Sequence, residues 1–391
     1  MSLHGKTAFV TGGTGFIGGR LIEVLTSQFD MRVRALVRNN HAGSGAFRLA
    51  GCGAEIFEGD ITDPARMERG VDGCDYVFHC AFGTTGAPKL DRPITVGGTT
   101  NLARAAAAAG VRHFVNLSTM VVFGETPESV DESFVPRKMW DWPYPHEKLD
   151  AERAVAAEHA RSRLPVSTLR LGTVYGPWGP AFTYYPISSL KNGRVVLVDD
   201  GAGVSNAVYV DDVIQAMILA AERNDHAAET FIVRGPDRVT WREFYEAYQA
   251  MLNTDSLVTM TLSEVKAESR RQQITAIKRA APEAISVLKR DAGFKRLAGQ
   301  LPLVKAGWKL YRGSIGKPPK ALAPPPARSE PADTRPLIAL PEMMWGYYAS
   351  RTDFRIDRAR ERLGYRPVYD LARGMALTRA WAEWAGLIGP A

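Results

Sequence analysis

The chain has the length and composition of an ordinary globular protein, with 391 residues of which 45% are hydrophobic and 23% are charged. This length exceeds one average domain, so we expect one large domain with a smaller lobe. No uncharged apolar run reaches the roughly 18 residues that a membrane-spanning helix needs, and the N-terminus lacks the zones of a signal peptide. The three cysteines show no metal-ligand spacing. We therefore expect a cytoplasmic protein with reduced thiols and without a metal site.

The formal charge of +7 comes from one segment of the chain. Residues 264–320 contain 14 Lys/Arg and 4 Asp/Glu, whereas the rest of the chain has a net charge of −3. Apolar residues recur in this segment at intervals of three and four, with Lys and Arg off the apolar stripe, which is typical of a basic amphipathic helix. Two interpretations remain open: a helical cap on the substrate lobe, or peripheral contact with the anionic inner membrane surface through 285–312. No recognition motif supports nucleic-acid binding.

In chain order, short apolar runs alternate with helical patterns over the first 120 residues. The predicted strands are Thr7–Thr11, Arg32–Val37, Glu55–Glu58, Tyr76–Cys80 and Phe114–Leu117, and the predicted helices include Phe16–Ser27 and Gly98–Ala109. This alternation predicts an α/β fold, a doubly wound parallel sheet with helices on both faces.

The second half of the chain continues with less regular elements. They are a helix at Pro145–Ser162, strands at Val166–Leu171, Arg194–Val198 and Phe231–Val233, helices at Val213–Arg223 and Thr240–Leu252, and a helical tail at Asp357–Trp384. We expect a nucleotide-binding domain of 1–180 with about 207–236, and a smaller α/β substrate lobe of 181–206 and 237–391. This lobe includes the basic segment 264–320 and a proline-rich linker, 318–336.

A glycine-rich turn, Thr11–Gly18, joins the first strand to the first helix, which is the context expected of a dinucleotide-binding turn. Gly12 permits the tight turn, Gly15 lets the backbone approach a pyrophosphate, and Gly18 lets the helix pack on the sheet. The phosphates then bind the free N–H groups of the helix N-terminus. The turn predicts a Rossmann fold and a dinucleotide site whose further residues are Thr11, Phe16 and Ile17.

The end of the second strand bears on the choice of cofactor. NAD enzymes place an Asp or Glu there to bind the ribose 2′-hydroxyl, but the residues after Val37 are Arg38, Asn39 and Asn40. The Arg38 guanidinium could bind a 2′-phosphate through charge-assisted hydrogen bonds, unless it is only solvated. We therefore expect NADP to be preferred over NAD.

Tyr144 and Lys148 form the second strong signal, because only this tyrosine among 13 has a lysine four residues later. Residues at this spacing lie on one face of a helix. A nearby ammonium favours the phenolate and lowers the tyrosine pKa from its usual value of about 10. Tyr144 could then exchange a proton with a substrate hydroxyl or carbonyl.

The Gly-x-x-Gly-x-x-Gly spacing, together with this Tyr/Lys pair after a strand that ends in Ser118 and Thr119, resembles the extended short-chain dehydrogenase/reductase family, also called the NAD-dependent epimerase/dehydratase family. The resemblance covers about 1–250 and 353–386. Pro145 within the motif is similar to the 3β-hydroxysteroid dehydrogenase and dihydroflavonol reductase-like branch. One departure is Thr95, where relatives often have Asn.

The resemblance implies roles for further residues. Thr119, five residues before Gly124, would orient the reacting oxygen, with Ser118 as a fallback, and Lys148 would also hold the ribose. Additional cofactor contacts would come from Asp60, Ile61, Cys80, Ala81, Leu171 and Val174. Relatives often dimerise through two helices, here near 98–109 and 146–162, which predicts a homodimer.

These observations favour a NADP(H)-linked oxidoreductase that acts on a secondary alcohol or ketone of a lipophilic or polycyclic small molecule. The apolar loop Met139–Trp142 and Trp178 suggest a hydrophobic substrate wall, although they could be ordinary packing aromatics. One alternative is a nucleotide-sugar epimerase or dehydratase that retains NAD. Another is a non-catalytic dinucleotide sensor, a class that commonly lacks the Tyr/Lys pair.

Overall fold

The computed structural model describes residues 3–38, 45–85, 87–135, 138–223, 225–271, 335–338 and 342–389. The chain forms two compact units, one of Met1–Leu262 with Leu337–Ala391 and one of Ser263–Pro336. The predicted membrane contact through 285–312 and most of the linker 318–336 lie outside the described residues. Within the described ranges, no helix combines the length and apolarity that crossing a membrane requires.

The first unit is built on a seven-stranded sheet in which all neighbouring strands run parallel. Its strands are β1 Thr7–Thr11, β2 Arg32–Val37, β3 Glu55–Glu58, β4 Tyr76–His79, β5 His113–Thr119, β7 Val166–Leu171 and β11 Ala228–Val233, in the spatial order β11-β7-β5-β4-β1-β2-β3. The central strands are continuous apolar runs because helices cover both faces. The predicted doubly wound sheet is confirmed.

Helices pack on both faces of this sheet. In chain order, the helices of this part of the chain are α1 Phe16–Phe29, α2 Ala46–Gly51, α3 Pro64–Val71, α4 Pro88–Arg92, α5 Thr99–Ala108, α6 Pro143–Ser162, α7 Tyr185–Asn192, α8 Val210–Ala221 and α9 Trp241–Leu252. Of these, α7 and α9 pack mainly on each other. One apolar core contains buried residues of α1 and α8, and a second contains residues of α3, α5 and α6. A capping box formed by Thr240 and Glu243 begins α9.

Smaller sheets and the C-terminal helices complete the unit. The remaining strands are β6 Ser129–Val130, β8 Thr173–Tyr175, β9 Arg194–Val198, β10 Ala207–Tyr209, β12 Leu257–Met260, β13 Leu337–Ile338 and β14 Asp353–Phe354, and the remaining helices are α10 Trp345–Ala349, α11 Asp357–Leu363 and α12 Leu371–Trp384. Residues 262–271 are also helical and belong, from Ser263 onward, to the second unit. The predicted strand β9 lies in a three-stranded sheet with β12 and β13. The proposed boundary between nucleotide-binding domain and substrate lobe stays a prediction.

Two predicted boundaries differ from the structure. The tail predicted as one helix, Asp357–Trp384, is two helices, because Gly364 takes a left-handed conformation (φ +71°) and ends α11, and Pro367 follows. The helix predicted to begin at Pro145 begins at Pro143, a proline in the first turn where no N–H donor is needed. Tyr144 therefore lies inside α6.

Asp212 ties the C-terminal segment to the sheet. Its fully buried carboxylate, on α8, accepts the backbone N–H groups of Val368 and Tyr369 at 2.9 and 3.1 Å. Burial raises the pKa of Asp212 from 3.8 to about 6, against the lowering effect of these two hydrogen bonds. Because the pKa of Asp212 is higher in the folded than in the unfolded state, the protonated carboxyl group stabilises the fold. This contribution is complete below pH 3.8 and is lost as the pH rises through about 6.

We expect Asp212→Asn to remove this pH dependence. Between pH 3 and pH 7 the wild type should lose about 3 kcal/mol of unfolding free energy relative to the variant. Urea unfolding of both proteins at a series of pH values measures this difference. A difference that is constant with pH would contradict the assignment.

Candidate active site

The glycine-rich turn brings β1, β4 and the start of α1 into close contact. Gly12 has a left-handed backbone (φ +70°), and a Cβ there would lie 2.8 Å from the backbone nitrogen of Ala81. A Cβ on Gly18 would overlap the Gly12 carbonyl. Gly15 precedes the first residue of α1 and offers no side-chain cap. The first N–H groups of α1 therefore lack side-chain partners, as a bound pyrophosphate requires.

A cleft of about 310 Å³ opens beside this turn, at the carboxyl ends of β1 to β4. Seven of the predicted cofactor residues line it: Gly12, Gly15, Arg38, Asp60, Ile61, Cys80 and Ala81. Thr14, Leu36, Gly59, Phe82, Thr84 and Ile94 also line it and were not predicted. The carboxyl edge of a parallel sheet is where this fold binds nucleotides, and the uncapped helix and glycine cradle fit a dinucleotide.

The other predicted cofactor residues do not line this cleft. They are Thr11, Phe16, Ile17, Gly18, Lys148, Leu171 and Val174. Thr11 is fully buried below the turn, and Leu171 is buried at the end of β7. Val174 pairs with Val208 in the separate sheet of β8 and β10.

Arg38 lies exposed at the end of β2, beside Asp60. Burial raises the pKa of Asp60, but hydrogen bonds from the Thr62 N–H and hydroxyl and the charge of Arg38 outweigh it, so the pKa is lowered. The carboxylate is therefore ionised near neutral pH. Near the ends of β2 and β3 the cleft is thus lined by one cation, Arg38, and one anion, Asp60.

A buried hydrogen-bond chain fixes the loop that follows β4. His79 bonds the Thr11 hydroxyl through Nδ1 at 2.8 Å and the Thr99 hydroxyl through Nε2 at 2.7 Å. Burial lowers the pKa of His79 to about 3, so the imidazole stays neutral and links the two hydroxyls. The Thr11 hydroxyl accepts the Ala81 N–H, and the hydroxyl of Thr95 accepts the Gly83 N–H at 2.9 Å. Thr95, where relatives often have Asn, thus holds the loop that follows β4.

Tyr144 and Thr119 meet at the carboxyl end of β5, because α6 begins beside this strand. The Thr119 side chain adjoins the Tyr144 hydroxyl and acts on its pKa as a hydrogen-bond donor. Burial raises the pKa of Tyr144 to about 12, and the bond from Thr119 opposes this rise. Lys148 was expected to lower the pKa of Tyr144, but the contribution that lowers this pKa comes from Thr119.

Lys148 lies one turn after Tyr144 on α6, with its ammonium buried against β5. Its Nζ donates to the Leu117 carbonyl at 2.6 Å. Burial lowers the pKa of Lys148 to about 8, while Glu152 and Cys80 act in the opposite direction. Glu152 is itself paired with Arg170 of β7 at 2.7 Å, which anchors α6 to the sheet.

Ser118, the predicted fallback, has a different environment from Thr119. Its hydroxyl is buried and makes no hydrogen bond. Because side chains alternate along a strand, adjacent residues point to opposite faces of the sheet. Of Ser118 and Thr119, only Thr119 acts on the pKa of Tyr144.

Aromatic rings surround Tyr144. The rings of Phe82 and Trp142 each lie 5.6 Å from it, centroid to centroid. Trp178, which was expected to join the same wall, instead packs on Trp381 and Trp384 of α12 at 5.6 and 5.9 Å. Sequence alone did not connect these tryptophans, because α12 lies about 200 residues further along the chain.

The seven-stranded parallel sheet and its flanking helices define a Rossmann-like α/β fold, with a cleft at the carboxyl ends of its strands. The family model of the NAD-dependent epimerase/dehydratase family matches residues 8–233, more than half of the chain, and the chain belongs to this family. It is therefore an oxidoreductase that uses a nicotinamide dinucleotide and acts on a small-molecule substrate.

Two kinds of relative illustrate this membership. A 4-hydroxy-2-methyl-3-oxo-4-farnesyl-3,4-dihydroquinoline-1-oxide ketoreductase of Stigmatella aurantiaca is 31% identical over 232 residues, which cover 58% of this chain and 68% of that protein. Among solved structures, a UDP-glucose 4-epimerase of Thermotoga maritima with UDP-glucose has a TM-score of 0.65 at 21% identity, covering 97% of this chain and 99% of the other. A dTDP-glucose 4,6-dehydratase of Streptomyces venezuelae with NAD also has 0.65 at 21%, covering 98% and 99%. These two structures share the fold.

We expect Gly15→Ala to weaken NADPH binding at least about 10-fold, because a methyl group would occupy the space through which phosphates approach the helix N-terminus. The added Cβ would meet only the Gly12 carbonyl, at 3.1 Å, so the fold should persist. Gly51→Ala is the matched control, since a Cβ there meets nothing within 4 Å. Fluorescence titration with NADPH measures both variants, and equal affinities would contradict this site.

Proposed function

We propose that the protein reduces the ketone of a lipophilic, ring-containing small molecule with NADPH, or catalyses the reverse oxidation of the alcohol. The observation that carries this proposal is the position of Tyr144, in ring contact with Phe82 of the dinucleotide cleft and beside Thr119, with Lys148 one turn away on the same helix. Such a constellation can protonate a carbonyl oxygen next to a hydride donor.

Each of these side chains has a separate task in the proposed reaction. Bound NADPH supplies the hydride to the carbonyl carbon. Tyr144 donates its hydroxyl proton to the carbonyl oxygen, and with a pKa of about 12 it is protonated at neutral pH. Thr119 orients the Tyr144 hydroxyl. Lys148, with a pKa of about 8, is mostly charged at pH 7 and is assigned to hold the ribose of the cofactor.

We expect Tyr144→Phe to lower kcat for ketone reduction at least about 100-fold, because positioned acid catalysis contributes about 10²–10⁴-fold. Thr119→Val should lower it about 10-fold through the loss of one hydrogen bond. Ser118→Ala is the matched control and should retain wild-type turnover. Steady-state kinetics, with NADPH affinity measured in parallel, checks all three. Full activity of Tyr144→Phe would refute its role, and a larger loss in Ser118→Ala than in Thr119→Val would reverse their assignment.

The preference for NADP rests on Arg38 in the proposed site. Its exposed guanidinium at the end of β2, on the rim of the cleft, supports contact with a 2′-phosphate. Asp60 is the acid of this region, and it lies on the turn after β3, outside the β2 position where NAD enzymes bind the ribose.

We expect Arg38→Ala to weaken NADPH binding about 10- to 100-fold and to leave NADH binding unchanged, because one charge-assisted contact is lost. Arg32→Ala, at the opposite end of the same strand, is the control. Titrations with both dinucleotides measure the ratio. An equal loss for NADPH and NADH would show that Arg38 does not select between them.

The ketoreductase relative supports net reduction rather than epimerisation, since it is the sequence relative described above and acts, by its name, on a ring ketone. The epimerase and dehydratase alternative implies a cofactor that stays bound through each turnover. Denaturing the purified protein and identifying what is released separates the two. Tightly held NAD would contradict the reductase proposal.

We also propose a homodimer formed through α5 and α6. The two helices pack side by side, and their outward positions include the exposed small residues Ala108, Ala156, Ala157 and Ala160. Small side chains let helices of two subunits approach closely.

The three cysteines, Cys52, Cys74 and Cys80, are unpaired, which supports a reducing cytoplasmic location.

We expect Ala157→Glu to convert a dimer into a monomer of 42.8 kDa, because it places a charge in the proposed contact. Ala376→Glu, an equally exposed position on α12, should remain dimeric. Light scattering after size exclusion gives the two masses. A wild type that is monomeric at micromolar concentration would contradict the proposal.

A further inference from the structure

The loop that carries Phe82 is fixed at every second residue. The N–H groups of Ala81, Gly83 and Thr85 donate to Thr11 Oγ1, Thr95 Oγ1 and Asp91 Oδ1, at 3.3, 2.9 and 2.8 Å. A Cβ on Gly83 would lie 2.6 Å from that of Asp91, so the loop has no room to shift in that direction. Phe82 is nevertheless 42% exposed. The protein therefore holds an apolar ring in partial contact with solvent on a rigid support, at a position where a ligand could cover it.

The position of Phe82 joins the cofactor cleft to the reacting centre. Its ring lines the dinucleotide cleft, lies 5.6 Å from the ring of Tyr144, and lies 5.9 Å from Lys148 Nζ. A molecule that contacts both the cofactor and the Tyr144 hydroxyl would therefore pass this ring.

Trp142 flanks Tyr144 as well. It is the residue before α6, and the following proline holds it in extended backbone (φ −150°, ψ 151°). Its ring lies 5.6 Å from Tyr144, tilted by 46°, whereas the Phe82 ring is tilted by 58°. We name Phe82 and Trp142 together the aromatic pair.

We propose that the aromatic pair determines substrate specificity, by holding a flat aromatic ring adjacent to the carbonyl that Tyr144 protonates. Aromatic side chains attract another π-system through offset or edge-to-face contacts beyond the burial of apolar area, by about 3- to 10-fold in affinity for each ring. A saturated ring of equal size gains the burial but not this additional attraction. The inference rests on the proposed function, because Tyr144 marks the reacting oxygen.

The test compares 1-tetralone with 1-decalone, two bicyclic ten-carbon ketones that differ in whether the second ring is aromatic. Their dissociation constants are measured by calorimetry or by saturation-transfer NMR on enzyme saturated with NADP⁺, so that no turnover occurs. Variants are Phe82→Leu and Trp142→Leu. Phe47→Leu, a phenylalanine that is 86% exposed on α2, is the control.

Wild-type and Phe47→Leu enzyme should bind 1-tetralone at least 10-fold more tightly than 1-decalone, and each variant of the aromatic pair should lower this ratio about 3- to 10-fold. Equal binding of the two ketones by the wild type, no binding of either, or an unchanged ratio in both variants would overturn the inference. Turnover with NADPH is measured separately. Selective binding of 1-tetralone without its reduction would contradict the proposed function and leave the specificity of the aromatic pair standing.

Discussion

The close approach of two backbone segments at the ends of β1 and β4 is the constraint on which the rest of the site depends. Gly12 lies directly against the Cys80–Ala81 peptide, and no side chain fits between them. This contact sets the start of α1 and hence the direction of its free N–H groups. It also sets where the loop after β4 begins, and so where Phe82 meets Tyr144. The same backbone contact therefore determines the positions of both the dinucleotide cleft and the proposed substrate site.

Local patterns were sufficient to predict the sheet and to place Tyr144 and Lys148 on one helix. The strands from Thr7–Thr11 to Val166–Leu171 are short apolar runs whose period and bounding turns can be read without knowledge of distant residues. The same holds for Tyr144 and Lys148, since a four-residue spacing on a helix fixes their common face. Thr119 depended on family resemblance, because a hydroxyl at a strand end has no local signature.

Features that depend on contacts across the chain were not predictable in this way. The loop of Phe82 is held by Thr95 and Asp91, and nothing in their spacing indicates that they would accept its N–H groups. The buried position of Lys148 against Leu117 likewise arises only when α6 docks on β5. For the same reason the pKa of Tyr144 was misjudged, since burial raises it to about 12 and the opposing contribution comes from Thr119 rather than from the lysine.

Residues of α10, about 200 positions after Tyr144 in the sequence, pack on the loop Met139–Trp142. A Cβ on Gly346 would overlap the ring of Trp140, and the Tyr347 hydroxyl bonds that of Thr173 at 2.7 Å. During translation, α10 leaves the ribosome about 200 residues after Tyr144, a delay of roughly 10–40 seconds at usual elongation rates. During this interval the loop Met139–Trp142 lacks the α10 residues that pack on it in the folded protein.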